Sequence, residues 1–279
     1  MDKAEEVVAP DGSIAITDPG EAGREHHNRG DRFIVQVSNF FAWLFPILML
    51  VICAQVVLRT LGRSEIGPGN QAWMDDLQWW IYGAAVLIGI GYAVTTNSHV
   101  RVDIFYDNFP KRKKYKYEIF ALGWLFLPFI ILCWDVTLGY AIASVAADEG
   151  SDSPNGLHNL WMLKVFMNVS FLFVAVAIWA AYIRYLSGLT DPVLWKKLLF
   201  AFPSTMFAIN LAIYYALWWA VYLTGPADMT TRDVGRHAIF GEFDLGPWEM
   251  KYTIVITIVL TLVVIGVARL LDRSDSATE

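Results

Sequence analysis

Cysteine and histidine, the residues that most often mark redox or metal chemistry, are scarce in this chain. Only two cysteines occur among 279 residues, Cys53 and Cys133. Both fall in apolar stretches, where a thiol behaves as a small hydrophobic group. No CxxC pair is present, and no disulfide is expected. The five histidines are His26, His27, His99, His158 and His237, and none lies in the apolar middle of a long stretch. Two facing axial ligands cannot be assembled from that set, which argues against a b-type cytochrome. The chain also lacks HExxH, a DxDxDG loop and a phosphate-cradling glycine loop. Gly83, Gly89 and Gly91 fall inside an apolar stretch instead. No catalytic residue, metal ligand, cofactor or nucleic-acid partner is therefore expected.

Apolar sequence is abundant. Hydrophobic residues make up 56% of the chain and aromatics 15%, with a mean hydropathy of +0.43. Six stretches are nearly free of charge: 33–58, 77–96, 118–146, 157–186, 194–223 and 250–271. A hydrocarbon core about 30 Å thick needs roughly 20 apolar residues of helix, and each stretch meets that length. The fold class is all-α, a polytopic integral membrane bundle of six transmembrane helices. The polar segment 1–32 lacks the pattern of a cleavable signal and reads as a disordered tail. Residues 272–279 form a second tail.

Lysine and arginine resist translocation, so their placement orients the bundle. The segment 97–117 carries Arg101, Lys111, Arg112, Lys113, Lys114 and Lys116 and reads as cytoplasmic. Alternation then places both termini inside. The loop after the third stretch holds Asp148, Glu149 and Asp152 with no Lys or Arg, which fits the outer face. Tryptophans and tyrosines cluster at stretch ends, where headgroup-level anchoring puts them.

Small residues at four-residue spacing, Ala85, Gly89 and Ala93, form a seam for close helix packing within the chain or on a partner. Asp135 lies near the middle of the third stretch, where an unpaired charge costs roughly 2.5 to 3.5 kcal/mol. Lys164 in the fourth stretch is its candidate partner, and the pair reads as a staple between the two helices, with an ion pathway as the alternative. Pro46, Pro128 and Pro203 fall within stretches and predict kinks. Asn168, Ser170, Thr205 and Asn210 are too scattered to line a solute path, and no broken-helix pair recurs. The chain has the look of a subunit that holds or extends a partner.

The most specific pattern runs from Arg59 to Tyr117. It comprises VVLR followed by Gly62, the acidic pair Asp75 and Asp76 after a tryptophan, small residues in the second stretch, and the string His99-Val100-Arg101-Val102-Asp103 before a basic turn. This resembles the small membrane subunit, DctQ-type, of tripartite ATP-independent periplasmic (TRAP) transporters. The resemblance covers 33–186, a four-helix core, and leaves 187–271 as an additional two-helix hairpin. It implies a scaffold subunit of a sodium-driven transporter in the bacterial inner membrane. A large DctM-type membrane subunit and a periplasmic DctP-type binding protein that delivers an organic acid would be its partners, with phospholipid around it.

Within that picture Arg59 is expected to pair with Asp75 or Asp76. His99, Arg101 and Asp103 are candidates for subunit contact, and Asp148, Glu149 and Asp152 for docking the binding protein. A haem-free membrane anchor of a redox complex is the alternative.

Overall fold

In a hydrocarbon layer no water can satisfy backbone N–H and C=O groups, so each apolar stretch must bond internally. The computed structural model describes residues 7–8, 14–15, 26–69, 71–98, 106, 108–226, 229–245 and 247–278. It has six helices long and apolar enough to cross a membrane. Two short antiparallel pairs are its only strands among the described residues: β1 (Val7–Val8) with β2 (Ile14–Ala15), and β3 (Glu242–Leu245) with β4 (Trp248–Lys251).

The first spanning unit begins earlier than its apolar run. Helix α1 (Arg29–Ala42) starts inside the segment assigned to the tail, because Asn28 and Asp31 form a reciprocal capping box. The Asn28 side chain accepts from the Asp31 N–H at 2.9 Å, and the Asp31 carboxylate accepts from the Asn28 N–H at 3.0 Å. His27 is buried as well. A disordered tail to residue 32 is thus corrected: residues 28–32 form a capped helix start, with His27 and Asp31 buried. Helix α2 (Leu44–Arg63) comes next, after a break at Trp43. Pro46 explains the break, since its ring clashes with the carbonyl four residues back, at Ala42, and it offers no N–H.

Helix α3 (Ala72–Thr96) is unbroken and ends on Asn97 in the left-handed conformation. The third span joins α4 (Lys111–Phe120), a π-helical stretch (Ala121–Phe126) and α5 (Leu127–Ala146). Helix α6 (Trp161–Ser187) lies at the centre, against α1, α3, α4 and α5. Its Val174, Ala177, Ile178, Ala181, Tyr182 and Leu186 are fully buried.

The expected fifth span is divided. Helix α7 (Leu194–Phe200) ends at Ala201, and α8 (Phe202–Thr224) restarts with Pro203 in its first turn. Pro203 opens a helix rather than kinking one, because a missing N–H costs nothing there. A short helix α9 (Thr231–Gly235) and the β3–β4 hairpin fill the next loop, and α10 (Tyr252–Thr278) packs back on α7 and α8. The α10–α8 contact uses Thr253, Thr257 and Thr261, buried at four-residue spacing, and the Thr257 hydroxyl donates to Asn210 Oδ1 at 3.1 Å. Small hydroxyl residues let helices approach closely while satisfying their own polar group.

Contacts sort the helix ends into two sides. The starts of α1 and α4 lie with the ends of α3, α6 and α10, since Arg184 reaches Asp31 and Thr95, Tyr115 meets Tyr185, and Trp195 meets Asp272. The start of α3 and the 147–160 loop share the other side. The basic turn therefore lies on the same side as the start of the first spanning unit and the end of the last.

Candidate inter-subunit surface and its polar staples

Polar side chains inside a helical membrane protein are costly unless paired, so their partners show which helices are held rigidly. At the side of the α3 start, Gln55 is the one buried residue of α2. Its amide donates to Asp75 Oδ1 at 2.6 Å, and the Gln78 amide donates to Gln55 Oε1. Asp76, one residue on, accepts the Leu157 backbone N–H at 2.9 Å. The two carboxylates thus have separate tasks, one holding α2 to α3 and the other holding the 147–160 loop. Arg59 sits one turn beyond Gln55. Gly62 closes the same end, where a Cβ would collide with the Gly69 Cα; only glycine permits that approach.

Lys164 is buried, and its ammonium pairs with Glu149, not with Asp135. The expected Asp135–Lys164 staple is therefore corrected. A lysine near a span end lowers its cost by turning toward the interface. The loop folds back to meet it, with the Trp161 N–H donating to the Glu149 carbonyl at 3.4 Å. Glu149 also accepts from Ser144 at 2.6 Å, and the Lys164 ammonium lies 3.9 Å from the centre of the Tyr140 ring. Asp135 accepts instead from the Tyr215 hydroxyl at 2.7 Å, joining the third span to the fifth. Asn168 donates to the Trp134 carbonyl and to Thr137, both at 2.8 Å.

The hydrogen bond from Lys164, and after it that from Ser144, holds the Glu149 carboxyl below its ordinary value of 4.5. A lowered carboxyl stabilises the fold at pH above its ordinary value and loses that contribution as pH falls through the lowered one. Protection of the amides of residues 149–157 from hydrogen exchange, taken relative to the intrinsic rate at each pH, is accordingly expected to be high at pH 7 and to decline once the pH falls below about 4.5. Glu149→Gln is expected to show low protection throughout and to lose that acid step.

At the opposite side a second cluster joins α1, α3 and α6. Asp31 is fully buried and pairs with Arg184 at 3.0 Å. The same guanidinium donates to the Thr95 carbonyl at 2.9 Å, and Asn28 donates to the Ala180 carbonyl at 2.8 Å. None of these residues was singled out from sequence as a site. The available signals were an arginine in the last turn of a span and the Asn-x-x-Asp capping spacing.

A third cluster joins the four-helix unit to the C-terminal helices. Leu127 gives its N–H to Leu122 in the π-helical register, and Pro128 has none to give. The Gly123 carbonyl therefore loses its partner in either register. Ser204 of α8 supplies the missing donor at 2.5 Å. Alongside, Trp124 Nε1 donates to the Phe200 carbonyl and the Tyr182 hydroxyl to the Lys197 carbonyl, both at 2.8 Å.

The expected seam Ala85–Gly89–Ala93 is used only in part within the chain. Ala85 is buried, but a Cβ at Gly89 would meet nothing within 4 Å. Gly91 makes the close approach instead, its Cβ position 2.7 Å from the Phe173 ring of α6. Asp148 and Asp152 are exposed, whereas Glu149 is engaged. His99, Arg101 and Asp103 lie outside the described residues. Along α2, Phe45, Met49, Leu50, Val56 and Val57 form an uncovered apolar flank. No grouping of His, Cys, Asp and Glu able to hold a metal occurs among the described residues.

The architecture is that of a multi-pass membrane protein held by polar staples. Residues 48–188, just over half of the chain, match the family described as tripartite ATP-independent periplasmic transporters, DctQ component. The chain belongs to that family and is a small permease subunit of a TRAP transporter, extended by additional C-terminal helices. No curated protein and no solved structure matches it.

Proposed function

We propose that this chain is a non-catalytic scaffold for a sodium-driven TRAP transporter that takes up an organic acid delivered by a periplasmic binding protein. The observation that carries the reading is α2. Gln55 and its partners hold this helix firmly to α3, yet its apolar flank is uncovered by the chain itself. A rigid helix with an open apolar side fits a large DctM-type subunit laid along it, with Gly89 of α3 offering a second close-approach point. The proposal extends to His99, Arg101 and Asp103, which follow α3 in the sequence, as further contacts for that subunit.

The protein lies in the bacterial inner membrane with both termini cytoplasmic; the start of α1 and the end of α10, which share the side of the basic α4 start, support this. Residues 33–186 form the four-helix core and 187–271 an added hairpin, a division supported by the match ending at residue 188. Asp148 and Asp152 steer a DctP-type binding protein to the outer face.

Reconstitution tests this directly. In proteoliposomes with a sodium gradient, uptake of the carboxylate is expected only when this chain, the large subunit and the binding protein are all present. Met49→Glu is expected to abolish copurification with the large subunit. Asp148→Asn with Asp152→Asn is expected to slow uptake at limiting binding protein and to flatten its salt dependence. Uptake by this chain alone would overturn the reading.

A further inference from the structure

A groove of about 560 Å³ opens where the four-helix unit meets the added helices, between α4, the end of α6 and α7. That volume falls within the roughly 300 to 1,000 Å³ range of small-molecule sites. Its inner wall is apolar, built from Ile119, Leu186, Leu189 and Phe200, with Phe120 and Trp124 stacked at 5.6 Å. Its mouth is cationic, with Arg112 and Lys116 one helical turn apart. Thr190 lines the same mouth and accepts from Lys196 at 2.7 Å, which brings a third cation there.

The basic run is sorted by this arrangement. Lys111, Lys113 and Lys114 lie over the rings of Tyr115, Phe109 and Tyr106, at 5.8, 3.7 and 5.1 Å. Glu118, the carboxylate of the same helix, is buried and accepts from Tyr106 at 2.7 Å. Arg112 and Lys116 are exposed, with no carboxylate partner among the described residues. One helix face therefore runs from two cations, through Ile119 and Phe120, to Trp124. That order repeats the order of an anionic phospholipid, phosphate first and hydrocarbon behind it.

We infer that this groove is a binding site for one anionic phospholipid, its acyl chain between Phe120, Leu186 and Phe200 and its phosphate on Arg112 and Lys116. Charge complementarity carries the choice of occupant: the charged side chains that line the mouth, Arg112 and Lys116, are both cations, and the wall behind them is hydrocarbon. The lipid would seal the junction between the four-helix unit and α7. The inference stands apart from the transport role.

The test uses the full chain in phosphatidylcholine nanodiscs with and without phosphatidylglycerol, scored by native mass spectrometry and melting temperature. The wild-type chain is expected to retain one phosphatidylglycerol and to melt higher in its presence. Arg112→Gln with Lys116→Gln should weaken retention roughly fivefold for each charge removed, while melting in phosphatidylcholine alone stays unchanged. Leu189→Trp, which fills the groove and leaves the charges in place, should also lose the lipid. Lys113→Gln with Lys114→Gln removes equal charge outside the groove and should retain it. Equal loss in that control would show diffuse surface attraction and overturn the inference. So would undiminished retention in the Arg112/Lys116 variant, or stabilisation by inorganic phosphate that matches phosphatidylglycerol.

Discussion

Arg184→Leu is expected to destabilise the fold more than any other single substitution proposed for this chain. It leaves the Asp31 carboxylate, fully enclosed between α1, α3 and α6, without its counter-charge, and strips the Thr95 carbonyl of its donor. Removing one partner of a buried ion pair costs roughly 3 to 5 kcal/mol, mostly through the charge left behind. For a chain of this size that corresponds to a fall of about 10 °C in apparent melting temperature. Asp31→Asn combined with Arg184→Leu should recover part of the loss, because the stranded charge is gone. A double variant as unstable as the two single losses summed would show that Arg184 acts through packing instead. The measurement is thermal unfolding in detergent, with all three variants under one condition.

Gly123→Leu is expected to have the next largest effect, and it acts on the junction rather than on the four-helix unit. A Cβ at this position already stands 3.1 Å from the Ala201 Cβ and 3.3 Å from both the Ala201 Cα and the Tyr182 ring. A full leucine has no room, and overpacking of this kind costs roughly 1 to 3 kcal/mol. Ala201 must move away, which takes Ser204 from the Gly123 carbonyl and leaves that carbonyl unbonded. The expected result is partial release of α7 and α8, read as faster proteolysis in the 187–194 connection. Ser204→Ala should give the same direction with a smaller effect, since it removes the bond without the clash. A Gly123→Leu protein with wild-type proteolysis would show that the junction is not close-packed.

Most of the helical inventory was legible because hydrocarbon enforces a simple rule: a run of about 20 apolar residues must become a helix. Boundaries were less so. The start of α1 at Arg29 depends on a capping box outside the apolar run, and hydropathy carries no signal for it. Division of the fifth span came from Pro203, whose position suits a helix start as well as a kink. Gly89 and Gly91 show a different limit. Two residues apart on a helix point to nearly opposite sides, so small-residue spacing marks a possible seam without saying which side meets α6.

The polar staples were the least legible. Opposite charges in adjacent stretches pointed to Asp135 and Lys164 as partners, but the 147–160 loop folds back and places Glu149 at the ammonium. Asp135 was then free to bond Tyr215 from a span outside the recognised pattern. Gln55, the one strongly polar residue between Leu44 and Leu58 of α2, was the signal most open to detection, since a polar residue inside a span is a suspect in its own right.

Family membership, helix number and the relative sidedness of the loops were all present in the linear sequence. Each depends on local composition: apolar length, the placement of positive charge, and a motif between Arg59 and Tyr117. Which side chains pair, which flank of α2 stays open and how the last helices attach were decided only by the tertiary structure. Those features depend on relative rotation and height of whole helices, and on carbonyls such as that of Gly123 that become acceptors only once a π-helical turn and a proline coincide.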